Sequence, residues 1–495
     1  MSPLYSVAEI REIERRASAQ LAPGALMHRA GQAATAAALE MLKEDSLPVL
    51  VLAGPGNNGG DALEVAANLA EAGIDVQVIH LAAPGAVSDE TARALERARS
   101  GSARFIDALP LDQELALVVD GVFGIGLALP LEGSARELVL AVNGLGRPVL
   151  ALDVPSGLDA DSGAPVGPDG IAIEAACTIT FIGDKAGLHT FAGRDHAGEV
   201  LVASLGIDAA LMPHAAARLN DPDLFRAWLK RRRHSTHKGS FGDVAIVGGA
   251  AGMAGAAVLA ARSALFAGAG RVFVAAVAAI DAGPSFDSEQ PEIMFRDAAE
   301  FNGSDSTLVI GPGMGDSARA INMLVKALDG GSPLVIDADA LNMLGASIDL
   351  QERLTAREAP AVLTPHPLEA ARLLGVTAGV VQGDRLEAAR ELAARFGKIV
   401  VLKGSGSVIA DPQGMAVVNT TGNPGLATGG TGDVLAGLCG SLMAQGWPAW
   451  EAALGAVWMH GAAADRLVEQ GAGPVGLTAG ELPVAIRAVF NELIA

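Results

Sequence analysis

GNPGLATGGTGD, residues 422–433, runs straight into the apolar stretch VLAGLCGSLMAQG, residues 434–446. The apolar stretch predicts a helix that stops at Gly446. Gly429, Gly430 and Gly432 then lie at its N-terminal mouth, where free backbone N–H groups point outward and the helix dipole is positive. Such a mouth gathers anionic oxygens. Asp433 stands at the same mouth. A carboxylate repels phosphate, so its presence there calls for another task, such as taking the proton of an attacking hydroxyl. The other reading of the local pattern is a glycine-rich turn closed by an Asp cap.

The chain has 495 residues, too many for one core, so two domains or more are expected. Half of it is hydrophobic, 61 residues are Gly and aromatics are scarce, a mix that suits tightly packed α/β layers. With 35 basic against 56 acidic residues the net charge is −21, which argues against general binding to nucleic acid or anionic membrane. The one basic run, KRRRH at 230–234, reads as a solvated helix end. Cys177 and Cys439 lie in apolar runs without metal spacing and read as small core residues of a reducing compartment. The opening MSPLYSVAEIREIERRAS reads as an amphipathic polar helix and not as a signal peptide. No apolar run reads as a membrane span. The expectation is a soluble cytoplasmic protein with no nucleic-acid or membrane partner.

Residues 5–45 carry apolar positions at helical spacing. LPVLVLAG, 47–54, is a continuous apolar run, the mark of a buried parallel strand. GPGNNGGD, 54–61, follows, and then a helix to about Ala72. Strand, glycine loop and helix form the phosphate-binding unit of doubly wound folds. The glycine spacing is not the dinucleotide fingerprint, and no Lys-Ser/Thr follows to make a P-loop. VQVIHLA (76–82), LALVVDG (115–121), RPVLALDVPSG (147–157) and CTITFIG (177–183) predict further strands, with helices over 88–99 and 133–143 and the loop VFGIGLALP at 122–130. Three strand ends thus carry Asn57, Asn58 and Asp61; Asp120; and Asp153 and Ser156. Ligands bind outside the carboxyl ends of strands in open parallel sheets. These side chains are hard oxygen ligands, suited to a group I or II cation and not to zinc.

A boundary is expected near 215–222, within a linker at 206–236 that holds helical pieces. A second α/β series starts at HKGSFGDVAIVGGAAGMAGAAVLAARSALFAGAGRVFVAA, 237–276, with small residues at Ala254, Ala257, Ala261 and Ala264 that let a helix lie close on a sheet. TLVIG (307–311), PLVIDAD (333–339), AVLTPHP (361–367) and KIVVLKGSGSVIA (398–410) predict its later strands. KGSGS reads either as a phosphate cradle or as a hairpin turn. His366, between two prolines, reads either as a rigid ligand contact or as the cap of the next helix.

AGPGNNGGDAL, DGVFGIGL and LDVPSGLDADSG resemble the NAD(P)H-hydrate epimerase family. HKGSFGDVAIVGGAAGMAGAA, QPEIMF, VIGPGMG, VIDADALNML, LTPHPLEAARLLG, VLKGSGSVIA and NPGLATGGTGDVLAG are similar to the NAD(P)H-hydrate dehydratase family. The resemblance implies α/β folds throughout: a Rossmann-like doubly wound domain over 1–215 and a ribokinase-like domain over 221–495. It implies two repair steps on NADH or NADPH that carries water across a ring double bond. The first domain interconverts the R and S epimers, and the second dehydrates the S form at the expense of ADP. Carried over position by position, the epimerase substrate falls on Asn57, Asn58, Gly59, Gly60 and Asp61, on Gly124, Ile125, Gly126, Leu127, Ala128, Leu129 and Pro130, and on Asp153. Potassium (K+) falls on Asn58, Asp120 and Ser156. In the second half the hydrate falls on Ala254, Gly313, His366 and Asp433. The nucleotide, with Mg2+, falls on Lys403, Gly404, Ser405, Gly406, Ser407 and Gly432. Asp433 is the expected base for the hydroxyl, and Asp153 the acid/base of epimerisation, with Lys185 in GDKAGL as a helper. The sequence departs from the family at Ala62, where Gly is usual, and at Ile125, where Thr is common. A homo-oligomer is expected. The competing reading is a ribokinase-like vitamin or sugar kinase with a nucleotide-sensing N-terminal module.

Overall fold

The computed structural model describes residues 2–43, 46–81, 88–278, 285–301 and 303–495. Contacts divide the chain into two units, Ser2–Ala217 and Arg218–Ala495. Among the described residues no helix is long and apolar enough to cross a membrane.

The N-terminal unit is built on parallel strands in the spatial order Arg104–Phe105, Val76–His80, Val49–Ala53, Leu117–Gly121, Val149–Leu152, Cys177–Phe181 and Glu199–Ala203. Val49–Ala53 is buried along its whole length because both faces of the sheet are covered. Its alternation divides it between two cores. Val49, Val51 and Ala53 join one apolar cluster, and Leu50 and Leu52 join the other. The chain leaves Val49–Ala53 first toward Val76–His80 and later returns to its other side at Leu117–Gly121. That reversal opens a crevice at the strand ends, where the loops after Ala53 and Gly121 meet. They meet closely: a Cβ on Gly54 would lie 1.8 Å from the Val122 carbonyl oxygen.

In the C-terminal unit the strands run in the order Ala416–Val418, Val408–Ala410, Ile399–Leu402, Ala361–Leu363, Leu334–Ile336, Thr307–Ile310, Asp243–Gly248, Arg271–Ala276 and Met294–Asp297. Pairing is parallel from Ile399–Leu402 onward and antiparallel on the other side of that strand. The helix Thr431–Ala444 packs against the helix Ala254–Phe266 and on the sheet. Two glycines permit this. A Cβ on Gly437 would lie 2.0 Å from the Ala260 carbonyl oxygen, and one on Gly440 would lie 2.4 Å from Val309 Cγ2. Ser263 Oγ donates to the Val434 carbonyl at 2.7 Å and fixes the register of the two helices.

Several local expectations are corrected. The helix after Gly56 begins at Asn57, inside the glycine motif, so Asn57–Asp61 form its first turn and not a loop. The helix after Gly430 begins at Thr431, ahead of Asp433. PLVIDAD yields a strand over Leu334–Ile336 only, and a new helix starts at Ala338. KRRRH ends no helix; it is irregular, with the Arg232 guanidinium 3.6 Å over the Phe241 ring. The strand expected over 76–82 is observed as Val76–His80, and Ala82 lies outside the described residues. Glu199–Ala203, Met294–Asp297 and Ala416–Val418 are strands that periodicity did not separate from their surroundings.

Gly437→Ala adds a methyl where only a backbone oxygen fits. Overpacking of this kind costs about 1–3 kcal/mol. The C-terminal unit is expected to lose stability in urea unfolding despite the helix propensity that alanine brings.

Candidate functional site

At the sheet edge of the N-terminal unit, Asp120 is fully buried. Its Oδ2 accepts from the Ser156 N–H at 2.8 Å, and its Oδ1 from Ser156 Oγ at 2.6 Å and the Val122 N–H at 3.2 Å. Burial pushes this carboxyl above its ordinary range, and the hydrogen bonds oppose that. Ser156 Oγ accepts from the Phe123 N–H at 2.8 Å. Beside them Asn58 Nδ2 donates to the Leu152 carbonyl at 3.2 Å, while its Oδ1 is buried without a hydrogen-bond partner. Gly124 lies over this group: a Cβ there would fall 2.9 Å from Asp153 Oδ2 and 3.3 Å from Asn58 Cγ.

Asp153 adopts φ 65°, a left-handed conformation that non-glycine residues hold only when their surroundings impose it. Lys185 supplies much of that constraint. Its fully buried Nζ donates to Asp153 Oδ1 at 2.8 Å, Thr180 Oγ1 at 2.6 Å, the Phe181 carbonyl at 2.9 Å and the Gly183 carbonyl at 3.1 Å. The Ile125 N–H reaches Asp153 Oδ2 at 3.2 Å. Lys185 therefore anchors Asp153.

Asp153 faces a cavity of about 340 Å³ together with Asn57, Asp61 and Ile125. Helices Val7–Ser18 and Ala25–Leu42 supply Ile10, Glu14 and Met27 to its wall. Glu14 was missed by sequence reasoning, although the signal was present. Ile10, Ile13 and Ala17 are the buried face of that helix, and Glu14 puts a carboxylate on it. Burial and the charges of Asp153 and Glu90 raise its carboxyl. Gly59 and Gly60 serve packing; a Cβ on Gly60 would lie 2.4 Å from Met27 Cε. Gly126, Ala128, Leu129 and Pro130 are exposed, and they and Leu127 do not line the cavity. Ala62 is accommodated: it is buried, with its Cβ against the open face of Gly121.

In the C-terminal unit Leu334–Ile336 delivers Asp337, which is buried. Asp337 Oδ1 accepts from Lys403 Nζ at 2.6 Å and Thr364 Oγ1 at 2.8 Å. Gly430 caps the helix Thr431–Ala444 at φ 95°, and Asp433 lies in its first turn. Burial first, then Asp337 and Asp339, push the Asp433 carboxyl up to about 7 against the pull of Lys403. On Lys403 burial acts downward, but Asp337, Glu369 and Asp433 outweigh it and raise the ammonium. Gly432 keeps this group compact: a Cβ there would lie 3.4 Å from Lys403 Nζ.

His366 caps the helix Pro367–Leu374, its Nδ1 accepting from the Leu368 N–H at 3.1 Å and the Glu369 N–H at 3.4 Å. Burial lowers the imidazole, aided by Lys403, so Nε2 carries the proton; it stands 3.2 Å from Glu369 Oε1. The cap is the role observed, and nearly half of the side chain is exposed. KGSGS is the turn of the hairpin joining Ile399–Leu402 to Val408–Ala410, with the Gly404 N–H 3.3 Å from Ser407 Oγ; Ser405 is exposed at its tip and Gly406 is buried. Gly313, at φ 54°, binds the loop before Ala254 through its carbonyl, which accepts from the Ala250 N–H at 2.7 Å. The Gly315 N–H donates to Asp339 Oδ2 at 2.8 Å and ties this loop to the acidic group. His460 was also missed; burial pushes it down to about 4, and its Nε2 lies 3.0 Å from the Thr431 carbonyl. A histidine inside the apolar run AVWMHGAAA was the available signal.

Residues 244–486 match the family described as NAD(P)H-hydrate dehydratase, and residues 23–187 the one described as YjeF-related protein N-terminus. The bifunctional NAD(P)H-hydrate repair enzyme Nnr of Coxiella burnetii is 37% identical over 99% of this chain and 100% of its own. The Escherichia coli protein of that name is 35% identical over 94% of this chain and 89% of its own. A crystal structure of the ADP/ATP-dependent NAD(P)H-hydrate dehydratase from Bacillus subtilis, co-crystallised with ATP and Mg2+, has 30% identity and a TM-score of 0.50, covering 56% of this chain and 98% of that one. Nothing in these matches favours the vitamin or sugar kinase. The length of the alignments, the two matched halves and the two buried sites agree: this chain belongs to the family of bifunctional NAD(P)H-hydrate repair enzymes.

Proposed function

We propose that residues 1–215 interconvert the epimers of hydrated NADH and NADPH, and that residues 221–495 dehydrate the S epimer with ADP, giving AMP and phosphate. The observation that carries the second step is Asp433, a carboxylate raised to about 7 in the first turn of a glycine-capped helix, beside Lys403 and Asp337. The ring hydroxyl of the hydrate attacks the terminal phosphorus of the nucleotide and gives its proton to Asp433. The amides at the helix mouth and the Lys403 ammonium face the phosphoryl oxygens, and donors so placed are worth ~3 kcal/mol each in comparable sites. The phosphate ester then leaves as phosphate while the neighbouring carbon loses a proton, which restores the double bond. Mg2+, when bound, offsets charge on the phosphates, and the oxygen-only set of Asp337 and Asp339 suits such a hard cation. The co-crystallised ATP and Mg2+ of the Bacillus subtilis relative support this reading.

For the first step, Asp153 is the acid/base, held by Lys185. Asn58, Asp120 and Ser156 would hold K+, and the partnerless buried Asn58 Oδ1 supports that. The ion, when bound, supplies positive charge beside the loop that carries Gly124.

Hydrated NADPH mixed with ADP or ATP tests the reading through recovery of reduced-nicotinamide absorbance; a phosphorylated organic product that accumulates would overturn it. Asp433→Asn is expected to slow turnover by roughly 10²–10⁴-fold with nucleotide affinity kept. The base works only when deprotonated, so dehydration should rise as pH increases through about 7, and the variant should lose that limb. Near wild-type turnover of Asp433→Asn would sink the assignment. Asp120→Ala is expected to weaken the K+ dependence of epimerisation and to leave dehydration of the S epimer intact, measured in parallel on one preparation.

A further inference from the structure

We propose that Asp61 is the proton donor of epimerisation, serving the ring nitrogen while Asp153 takes the hydroxyl proton, so that the hydrated ring opens and recloses. The inference rests on the epimerase reading above. Two carboxyl groups face one cavity of about 340 Å³ in contrasting surroundings. Asp153 is gripped by the Lys185 ammonium at 2.8 Å. Asp61, on the first turn of Asn57–Glu71, feels chiefly the carboxylates Asp153, Glu14, Glu64 and Glu90, while the cations Lys185 and Arg97 are paired with Asp153 and Glu64. Burial first, and these four carboxylates next, raise Asp61 well above its ordinary value, which favours its protonated form. Contrasting environments of this kind separate an acid from a base. Lys185 Nζ is turned to Asp153, Thr180 and two carbonyls. Glu90 Oε1 already accepts from the Gly24 N–H at 2.6 Å.

The chemistry of the substrate agrees. Water adds to an enamine double bond with hydrogen going to the carbon remote from nitrogen and hydroxyl to the carbon bonded to nitrogen. That carbon is a hemiaminal, and nothing acidifies its C–H bond. Its C–N bond is the weak point. Asp153 removes the O–H proton, the C–O bond becomes C=O, the C–N bond breaks, and the electron pair on nitrogen takes the proton of Asp61. Rotation about the adjacent C–C bond presents the other carbonyl face, and the reverse steps close the ring as the other epimer. No electrons are gained or lost, and no co-reactant is used.

The test uses the full chain and the pure R epimer of hydrated NADPH without nucleotide, with epimers resolved by chromatography. Asp61→Asn should epimerise roughly 10²–10⁴-fold more slowly. The wild-type rate should fall at alkaline pH as Asp61 loses its proton, and product formed in D₂O should carry no carbon-bound deuterium. A rapid Asp61→Asn, a flat alkaline limb, or deuterium on the hydroxyl-bearing or the adjacent carbon overturns the inference and leaves the epimerase reading intact. The alkaline limb and the isotope result do not depend on how the variant folds. Wild-type protein that never interconverts the epimers overturns the epimerase reading, and this inference with it.

Discussion

An ammonium bound to a buried carboxylate organises each half of this chain. Lys185 holds Asp153 at 2.8 Å, and Lys403 holds Asp337 at 2.6 Å. Taking such charges out of water costs several kcal/mol per ion, and only close pairing with further hydrogen bonds offsets it. The further bonds come from Thr180 and two carbonyls in one unit, and from Thr364 in the other. Because the pairs stand at strand ends, satisfying them fixes where the strands stop and which way the following loops turn. The left-handed backbone at Asp153 is one result. The other carboxyl groups, Asp61 and Asp433, lack that shelter and are raised by burial among their own kind. In both units, then, a paired acid stands near an acid pushed toward neutrality, which is what proton traffic requires.

Much of this was legible in residues. The apolar strands and the acids at their ends placed Asp120 and Asp153 at a sheet edge, because a strand buried on both faces leaves an unmistakable pattern, and the glycine run placed Asp433 at a helix mouth. What stayed hidden was set by distance in space. Glu14 reads as one more charge on an amphipathic helix until the helix is packed over the cavity. Asp337 and Asp339 lay in a quoted motif, yet only the approach of Lys403 and of the Gly315 amide gives them partners. His460 sits in a run that reads as core, and it is core; its contact with the Thr431 carbonyl comes from a helix remote in sequence.

Helix starts were the least readable feature. Asn57 and Thr431 open their helices inside glycine-rich motifs that propensity assigns to loops. Tertiary contact overrides the propensity. Gly59 backs onto the Gly54 carbonyl, and Gly437 onto that of Ala260, at distances no other residue type allows. Glycine here is a packing residue as much as a hinge, so the same letters that suggest flexibility mark the most tightly constrained turns.

The strand order has a kinetic consequence. Val49–Ala53 pairs with Leu117–Gly121 only after the chain has travelled out through Val76–His80 and Arg104–Phe105 and come back. Closing so long a loop must precede the contacts that reward it, which makes parallel pairing of this kind slow. The crevice that carries Asn58 and Asp120 is formed by that late pair. Until that pair forms, the first strand has one edge unpaired and the crevice is absent.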